Sequence, residues 1–109
     1  MRPTFIKGGT ARLDTPCGHL YATFNGETRL CELFLNLGKA GGCVGAHMEA
    51  LGRVISIAIQ DGVDPQKFAD TLKGINCHQS NSDVLSCLNM FAHQLDEQVK
   101  MRSEVKKVE

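Results

Sequence analysis

The spacing of the apolar residues changes once along the chain, and this change limits the possible folds more than any other feature. Before residue 38 apolar and polar residues alternate, as in a strand that buries one face. After residue 42 apolar residues recur every three or four positions, as in an amphipathic helix. The segment between the two patterns is Gly38-Lys39-Ala40-Gly41-Gly42. Strands followed by helices predict an α+β fold rather than alternating β–α units.

The alternating part predicts an antiparallel β-meander. In residues 19–25 one face carries Leu20, Ala22 and Phe24, and in residues 29–37 one face carries Cys31, Leu33, Leu35 and Leu37. Asn25-Gly26 lies between these runs and is a strong signal for a hairpin. A weaker pattern within residues 3–13 predicts one earlier strand.

The second part predicts helices packed on one face of this sheet. An apolar stripe begins at Val44 and ends before Gly62, and Asp64-Pro65 is typical of an N-cap followed by proline at the first helical position. The short helix that opens there should end at Gly74. Ser86 or Asp83 could cap a last helix whose apolar face is formed by Leu88, Phe91, Ala92, Leu95 and Val99. We therefore expect a β-meander followed by two or three helices, in a single domain of residues 1–109 whose charged tail, residues 102–109, frays.

Charge and hydropathy limit the partners. Lys and Arg together number 12, as do Asp and Glu, so the net charge of zero provides no basic field that would recruit nucleic acid. Neutral proteins tend to self-associate, which favours a homo-oligomer. No apolar run is long enough for a signal peptide or a membrane span. We expect a cytoplasmic protein, in its own cell or in an infected host, without a membrane partner.

Four of the five cysteines lie at predicted breaks between elements, namely Cys17, Cys43, Cys77 and Cys87. Cys31 lies within a predicted strand on its apolar face and is expected to fill the core. An odd number of cysteines in a reducing compartment argues against a disulfide framework. The other four can be small buried residues, zinc ligands, or reactive thiols, including a redox pair of Cys77 with Cys87. Without a Cys-x-x-Cys motif, their spacing alone favours unliganded thiols.

The remaining candidate ligands carry weaker signals. His19 and His78 are near cysteines and could replace one as a metal ligand, although solvated histidines are more common. No Cys–His signature and no pair of carboxylates suggests acid–base chemistry, so we expect no catalytic residues.

An anion or nucleotide site is a second possibility. The glycine-rich segment leads into a helix, so free N–H groups near Gly41 and Gly42 and the Lys39 ammonium could face a phosphate. The Gly-Lys-Ser/Thr ending of a P-loop is missing, and a tight strand-to-helix turn is the simpler interpretation. Arg53 follows Gly52, where a neighbour can approach closely. It is a candidate ligand for phosphate, or else part of a salt bridge at the surface or between subunits.

Taken in order, several motifs resemble one family, the four-cysteine TSCPD domain. They are Leu33-Phe34-Leu35-Asn36-Leu37-Gly38-Lys39-Ala40-Gly41-Gly42-Cys43, Glu49-Ala50-Leu51-Gly52-Arg53-Val54-Ile55-Ser56, Gly62-Val63-Asp64-Pro65 and Leu72-Lys73-Gly74-Ile75-Asn76-Cys77. That domain occurs near the C-terminal end of adenosylcobalamin-dependent ribonucleotide reductases and in small stand-alone proteins. The resemblance covers about Arg2 to Leu95. It implies that Cys17, Cys43, Cys77 and Cys87 hold a structural zinc ion.

The chain departs from the family at the motif that names the domain. Where the family has Ser-Cys-Pro-Asp, this chain has Ser86-Cys87-Leu88-Asn89, which keeps the thiol but loses the proline and the acidic residue. A chain of 109 residues cannot hold a reductase barrel.

The resemblance therefore implies a non-catalytic, zinc-stabilised module that binds a nucleotide or a protein of nucleotide metabolism. One alternative is an oligomeric sponge that sequesters nucleotide-derived, including cyclic, signalling molecules, as some viral anti-defence proteins do. A second alternative is a thiol-redox accessory of a ribonucleotide reductase.

Overall fold

The computed structural model describes residues 7–15, 18–38, 43–75 and 87–108, without the side chains of residues 43–44 and 103–108. The elements follow the order β1 (Gly8–Thr15), β2 (Gly18–Asn25), β3 (Glu32–Leu37), α1 (Cys43–Gln60), α2 (Pro65–Leu72) and α3 (Cys87–Val108). This order confirms the α+β fold. No helix in these described ranges combines the length and the apolar character that crossing a membrane requires.

The three strands form an antiparallel sheet in the order β1-β2-β3. The register pairs Ala11 with Ala22 and Ala22 with Leu35. The face that packs against the helices is the predicted one, and its buried side chains are Leu20, Ala22, Phe24, Leu33, Leu35 and Leu37. The earlier strand predicted within residues 3–13 is β1, which continues two residues beyond that range to Thr15.

The Asn25-Gly26 hairpin is confirmed, with residues 26–31 as its connection. Gly26 has a φ of 128°, which strongly favours glycine, and the Cys31 amide donates a 2.8 Å hydrogen bond to the Asn25 carbonyl. Cys31 therefore lies just before β3, half-buried, rather than within the strand as its alternation suggested.

Helix α1 packs on β3, which is an edge strand of the sheet. A Cβ atom on Gly52 would lie 3.0 Å from the Leu35 amide nitrogen, so glycine allows the two backbones to approach. The buried Ser56 hydroxyl accepts a 2.8 Å hydrogen bond from the Leu33 amide and donates a 2.7 Å hydrogen bond to the Leu33 carbonyl. Since an open edge exposes unpaired backbone groups, α1 closes the edge of β3 with a side chain.

Helices α2 and α3 complete the core. As predicted, Asp64 caps α2 by accepting a 3.0 Å hydrogen bond from the Gln66 amide, and Pro65 opens the helix. Helix α3 buries Phe91, Ala92 and Leu95 completely, and the Phe91 ring lies 6.4 Å from that of Phe24. The backbone of α3 continues to Val108, and fraying of the tail stays a prediction.

Candidate functional site

Among the four cysteines at predicted breaks, Cys87 alone has a described side chain. It opens α3 with 5% of its surface exposed, and its thiol lies 4.0 Å from the Met48 sulfur. Cys43 is the first residue of α1, and its side chain is not described. Cys17 and Cys77 lie outside the described residues. The four-cysteine hypothesis therefore has to be examined through the residues that flank each cysteine.

The flanks of Cys17 and Cys43 lie at one end of the sheet. Thr15 pairs with Gly18, so the β1–β2 connection that contains Cys17 leaves from this end. Leu20 pairs with Leu37, and the Gly38 amide donates a 2.6 Å hydrogen bond to the His19 carbonyl, which places the end of β3 there as well.

The path of α1 brings its first residues to the same end. Gly52 lies against Leu35 and Ser56 against Leu33, so α1 runs antiparallel to β3. Four helical residues advance about 6 Å and two strand residues about 6.6 Å, so the spacing from Gly52 to Ser56 matches the spacing from Leu35 to Leu33. Extended toward its start, α1 therefore runs toward the end of β3 and Gly38.

The flanks of Cys77 and Cys87 meet beside this start. Cys87 contacts Met48, which lies in the second turn of α1. The Gly74 amide, just after α2, donates a 2.7 Å hydrogen bond to Asn89 Oδ1 in the first turn of α3. The described residue nearest to Cys77 in sequence is Ile75, so both ends of the segment 76–86 are close to the start of α3.

A metal site cannot be assembled from the described side chains alone. Within residues 7–15, 18–38, 43–75 and 87–108, no group of three or more His, Cys, Asp or Glu residues could hold a metal ion. The side chains of three of the four predicted ligands are not among those described. The zinc site stays a prediction.

The His19 side chain contacts two residues that were not predicted from the sequence, Asp14 and Arg12. Its Nδ1 atom lies 2.6 Å from Asp14 Oδ1, and Arg12 Nε lies 3.4 Å from the same carboxylate oxygen. The hydrogen bond from His19, together with the charge of Arg12, lowers the pKa of Asp14. The β1–β2 register, which pairs Asp14 with His19, was the signal that could have found this cluster. His78 lies outside the described residues.

Of the residues predicted to bind an anion, Arg53 is the one that the structure describes. Its exposed guanidinium pairs with Glu49 Oε1 at 3.0 Å, one turn earlier in α1. Ten residues separate Arg53 from Cys43 along the helix, a rise of about 15 Å. Lys39, Gly41 and Gly42 lie outside the described residues, so their joint site with Arg53 stays a prediction.

Among the described residues, three open grooves have Arg102 in their lining, and two of them also contact the β2–β3 connection. Their volumes are about 270, 260 and 250 Å³. The Arg102 Nε–H donates a 2.8 Å hydrogen bond to the Gly26 carbonyl, and burial lowers the pKa of the guanidinium. Asn25 and Gly26 are at the end of β2 opposite to Gly18, so these grooves are remote from the flanks of Cys17.

Comparison with known proteins gives one match. The family model for the TSCPD domain matches residues 2–99. No curated protein and no solved structure matches the chain. The matched region includes all four of the cysteines discussed above and the Gly52 and Ser56 contacts of α1.

Proposed function

The chain belongs to the TSCPD domain family, and from this premise we propose that it is a non-catalytic binding module whose four-cysteine end holds a structural zinc ion. The observation that carries the proposal is the convergence of the flanking residues. Gly18, Gly38, Gly74 and Asn89 lie within five residues of Cys17, Cys43, Cys77 and Cys87 respectively, and the contact of Cys87 with Met48 joins the last two to the start of α1.

The chemistry of the cysteines fits zinc. Cys43 and Cys87 are the first residues of α1 and α3, and ligands at the starts of separate elements can converge on one ion. Four thiolates form a closed tetrahedral site without an open position for a substrate, which supports a structural role. Such an ion would hold together the connections 16–17, 39–42 and 76–86. It would also add stability to a chain with a modest core.

The cargo in this proposal is a nucleotide or a protein partner of nucleotide metabolism. The glycine-rich segment leads directly into the long helix α1, and anions bind favourably at the start of a helix. Lys39 would add a positive charge there.

A nucleotide sponge is the second candidate, and the exposure of Arg53 favours it. A guanidinium on the outer face of α1 is available to a ligand shared between subunits, because its ion pair among the described residues is an exposed one with Glu49. A thiol-redox role is less well supported, since the Cys87 thiol is buried against Met48 and fast exchange requires an accessible thiolate.

Zinc analysis of the purified full chain tests the first proposal. We expect one zinc ion per chain by native mass spectrometry, and we expect Cys87→Ser to lose zinc and to unfold at a lower temperature. Cys31→Ser is the matched control and should keep both the metal and the stability. A metal-free protein whose stability does not change in Cys87→Ser would overturn the zinc proposal.

Native mass spectrometry also tests whether the bound ligand is a nucleotide. A co-purified nucleotide would add a few hundred daltons that are lost on denaturation, and Lys39→Ala should reduce this excess while Lys67→Ala on α2 should not. Intact ligand recovered after Arg53-dependent binding would favour the sponge. Absence of binding to both linear and cyclic nucleotides would leave a protein partner as the cargo and exclude the sponge.

A further inference from the structure

We propose that the outer face of α1 is a contact between two copies of this chain, whose α1 helices pair antiparallel across a two-fold axis near residue 52. This inference specifies the interface of the homo-oligomer expected from the sequence. It depends neither on zinc nor on a bound nucleotide.

The outer face of α1 is apolar at its centre. Val54 is 60% exposed and Ile57 is 62% exposed, more than any other large hydrophobic side chain in the described part of the chain. Ala46 and Ala50 are exposed on the same side, as expected for positions separated by three, four or seven residues. The opposite side of α1 is occupied by the sheet, and in the part of the chain that the structure describes no residue buries this stripe.

The sizes of these four residues favour an antiparallel partner of the same sequence. The small residues, Ala46 and Ala50, lie in the first half of the helix, and the large ones, Val54 and Ile57, lie in the second half. In an antiparallel pair centred near residue 52, Ala46 lies opposite the partner's Ile57 and Ala50 opposite the partner's Val54. Large side chains then fill the space left by small ones, whereas a parallel pair would place each residue against itself.

The charges beside the stripe complement each other in the same arrangement. Glu49 and Arg53 lie on one flank of the stripe and are both exposed. In an antiparallel two-fold pair equivalent flanks meet, so Glu49 of one copy lies near Arg53 of the other, and the reverse. The zero net charge removes long-range repulsion between copies. The 18-residue helix is about 27 Å long, and one helix pair is a small interface, so we expect a micromolar dimer.

Sedimentation velocity of the full chain over a range of concentrations tests the contact. Ile57→Glu should raise the dimer dissociation constant at least tenfold without changing the circular dichroism spectrum, because the side chain is exposed. Met101→Glu replaces a residue on α3 that is 56% exposed and should leave the dimer unchanged. A chain that stays monomeric at 1 mM, or an Ile57→Glu variant that dimerises as the original does, would overturn the proposal.

Charge reversal tests the direction of the pairing. Glu49→Arg and Arg53→Glu should each raise the dissociation constant about threefold to tenfold, and the double variant should return it to within about twofold. The unfolding temperature, recorded in parallel, separates this effect from the loss of the pair within one helix. If the dissociation constant of the double variant is raised by the combined effects of the two single changes, the antiparallel register is wrong.

Engineered cysteines give a second measure of the register. Near the axis, the two copies of residue 50 are offset by about 5 Å along the helix, but the two copies of residue 57 by about 16 Å. Ala50→Cys should therefore form a disulfide-linked dimer under mild oxidation, identified by mass spectrometry of the linked peptide. Ile57→Cys should do so only when mixed with Ala46→Cys. Efficient self-linkage of Ile57→Cys would show a parallel pair and overturn the proposal, whatever the zinc content.

Discussion

Two helix contacts in this molecule are made in opposite ways. Where α1 meets β3, the contact is buried and neutral and is made by Gly52 and Ser56 against the strand backbone. Where α2 meets α3, apolar contacts such as Ala69 are bordered by a charged cluster centred on Asp96. The first contact should depend on the size of the side chains, whereas the second should depend on pH and salt.

The Asp96 cluster is formed by side chains from both helices. The Asp96 carboxylate lies 2.8 Å from the Lys100 ammonium and 3.3 Å from that of Lys73, and it accepts a hydrogen bond from the Gln66 side chain. The hydrogen bonds from Lys100 and Gln66 hold the pKa of Asp96 well below its usual range. The hydrogen bond with Asp96 raises the pKa of Lys100.

The largest effect should come from enlarging Gly52. Gly52→Val would push side-chain atoms against the Leu35 backbone, which cannot retreat because β3 is paired with β2, and should destabilise the fold by about 3 kcal/mol in urea unfolding. Gly45→Ala lies in the same helix, and no described atom outside that helix comes within 4 Å of the new methyl group, so this change should instead stabilise the fold by about 0.5–1 kcal/mol. Equal effects of the two changes would mean that helix propensity, not the close approach, determines the role of Gly52.

The next effect should come from removing the Ser56 hydroxyl. Ser56→Ala leaves the Leu33 amide and carbonyl without their partner in a buried position, which should cost about 2 kcal/mol. The control is Thr71→Ala on α2, because the Thr71 hydroxyl hydrogen-bonds the exposed Lys67 carbonyl within one helix and its loss should change little. Chemical denaturation of both variants would show whether Ser56 closes the strand edge or is dispensable.

The charged contact should respond to pH. The pKa of Asp96 is lower in the folded chain than in the unfolded one, so its stabilising contribution is complete above the ordinary pKa. It is lost as the pH falls below about 4. Asp96→Asn should therefore lower the unfolding temperature at pH 7 by less than Ser56→Ala does. The unfolding temperatures of Asp96→Asn and of the original chain should converge as the pH falls toward 2. A constant difference across this range, or one unaffected by 1 M NaCl, would argue against an ionic contribution.

The smallest effect should come from the exposed cluster on the sheet. His19→Ala removes the hydrogen bond that lowers the pKa of Asp14, so that pKa should rise toward its ordinary value in an NMR titration. The free energy of unfolding should stay nearly the same, because the pair is exposed. A large loss of stability would indicate that this cluster supports the neighbouring connection between β1 and β2.

Much of the fold could be predicted from local sequence. The alternation in residues 19–25 correctly assigned the buried face of β2, and Asp64-Pro65 correctly marked the start of α2. The pattern after residue 42 correctly indicated the length of α1, since periodicity reports which side of an element will be buried. The periodicity could not identify which element the buried side would pack against.

The candidate site stays a prediction, and the described residues test only where two of its cysteines lie in the helices. Cys43 and Cys87 do open helices, as their positions in the sequence indicated. The predicted contrast with Cys31 is wrong, because Cys31 also lies between elements, just before β3. The residues that flank the four cysteines lie at one end of the fold because α1 runs antiparallel to β3, and the sequence did not predict this direction. Gly52-Arg53 was recognised as a place of close approach, but the role of Ser56 was missed because a serine in a helix carries no local signal.

The sequence by itself determined which segments become strands and helices, which faces are apolar and where the helices begin, because caps and periodicity act over a few residues. Only the tertiary structure decided that Ser56 closes the edge of β3, that Gln66 reaches Asp96, and that Arg102 holds Gly26. These contacts join residues 23, 30 and 76 positions apart in the chain. Such pairs form only after the helices have packed on the sheet, because their energies depend on burial and orientation that no local pattern contains.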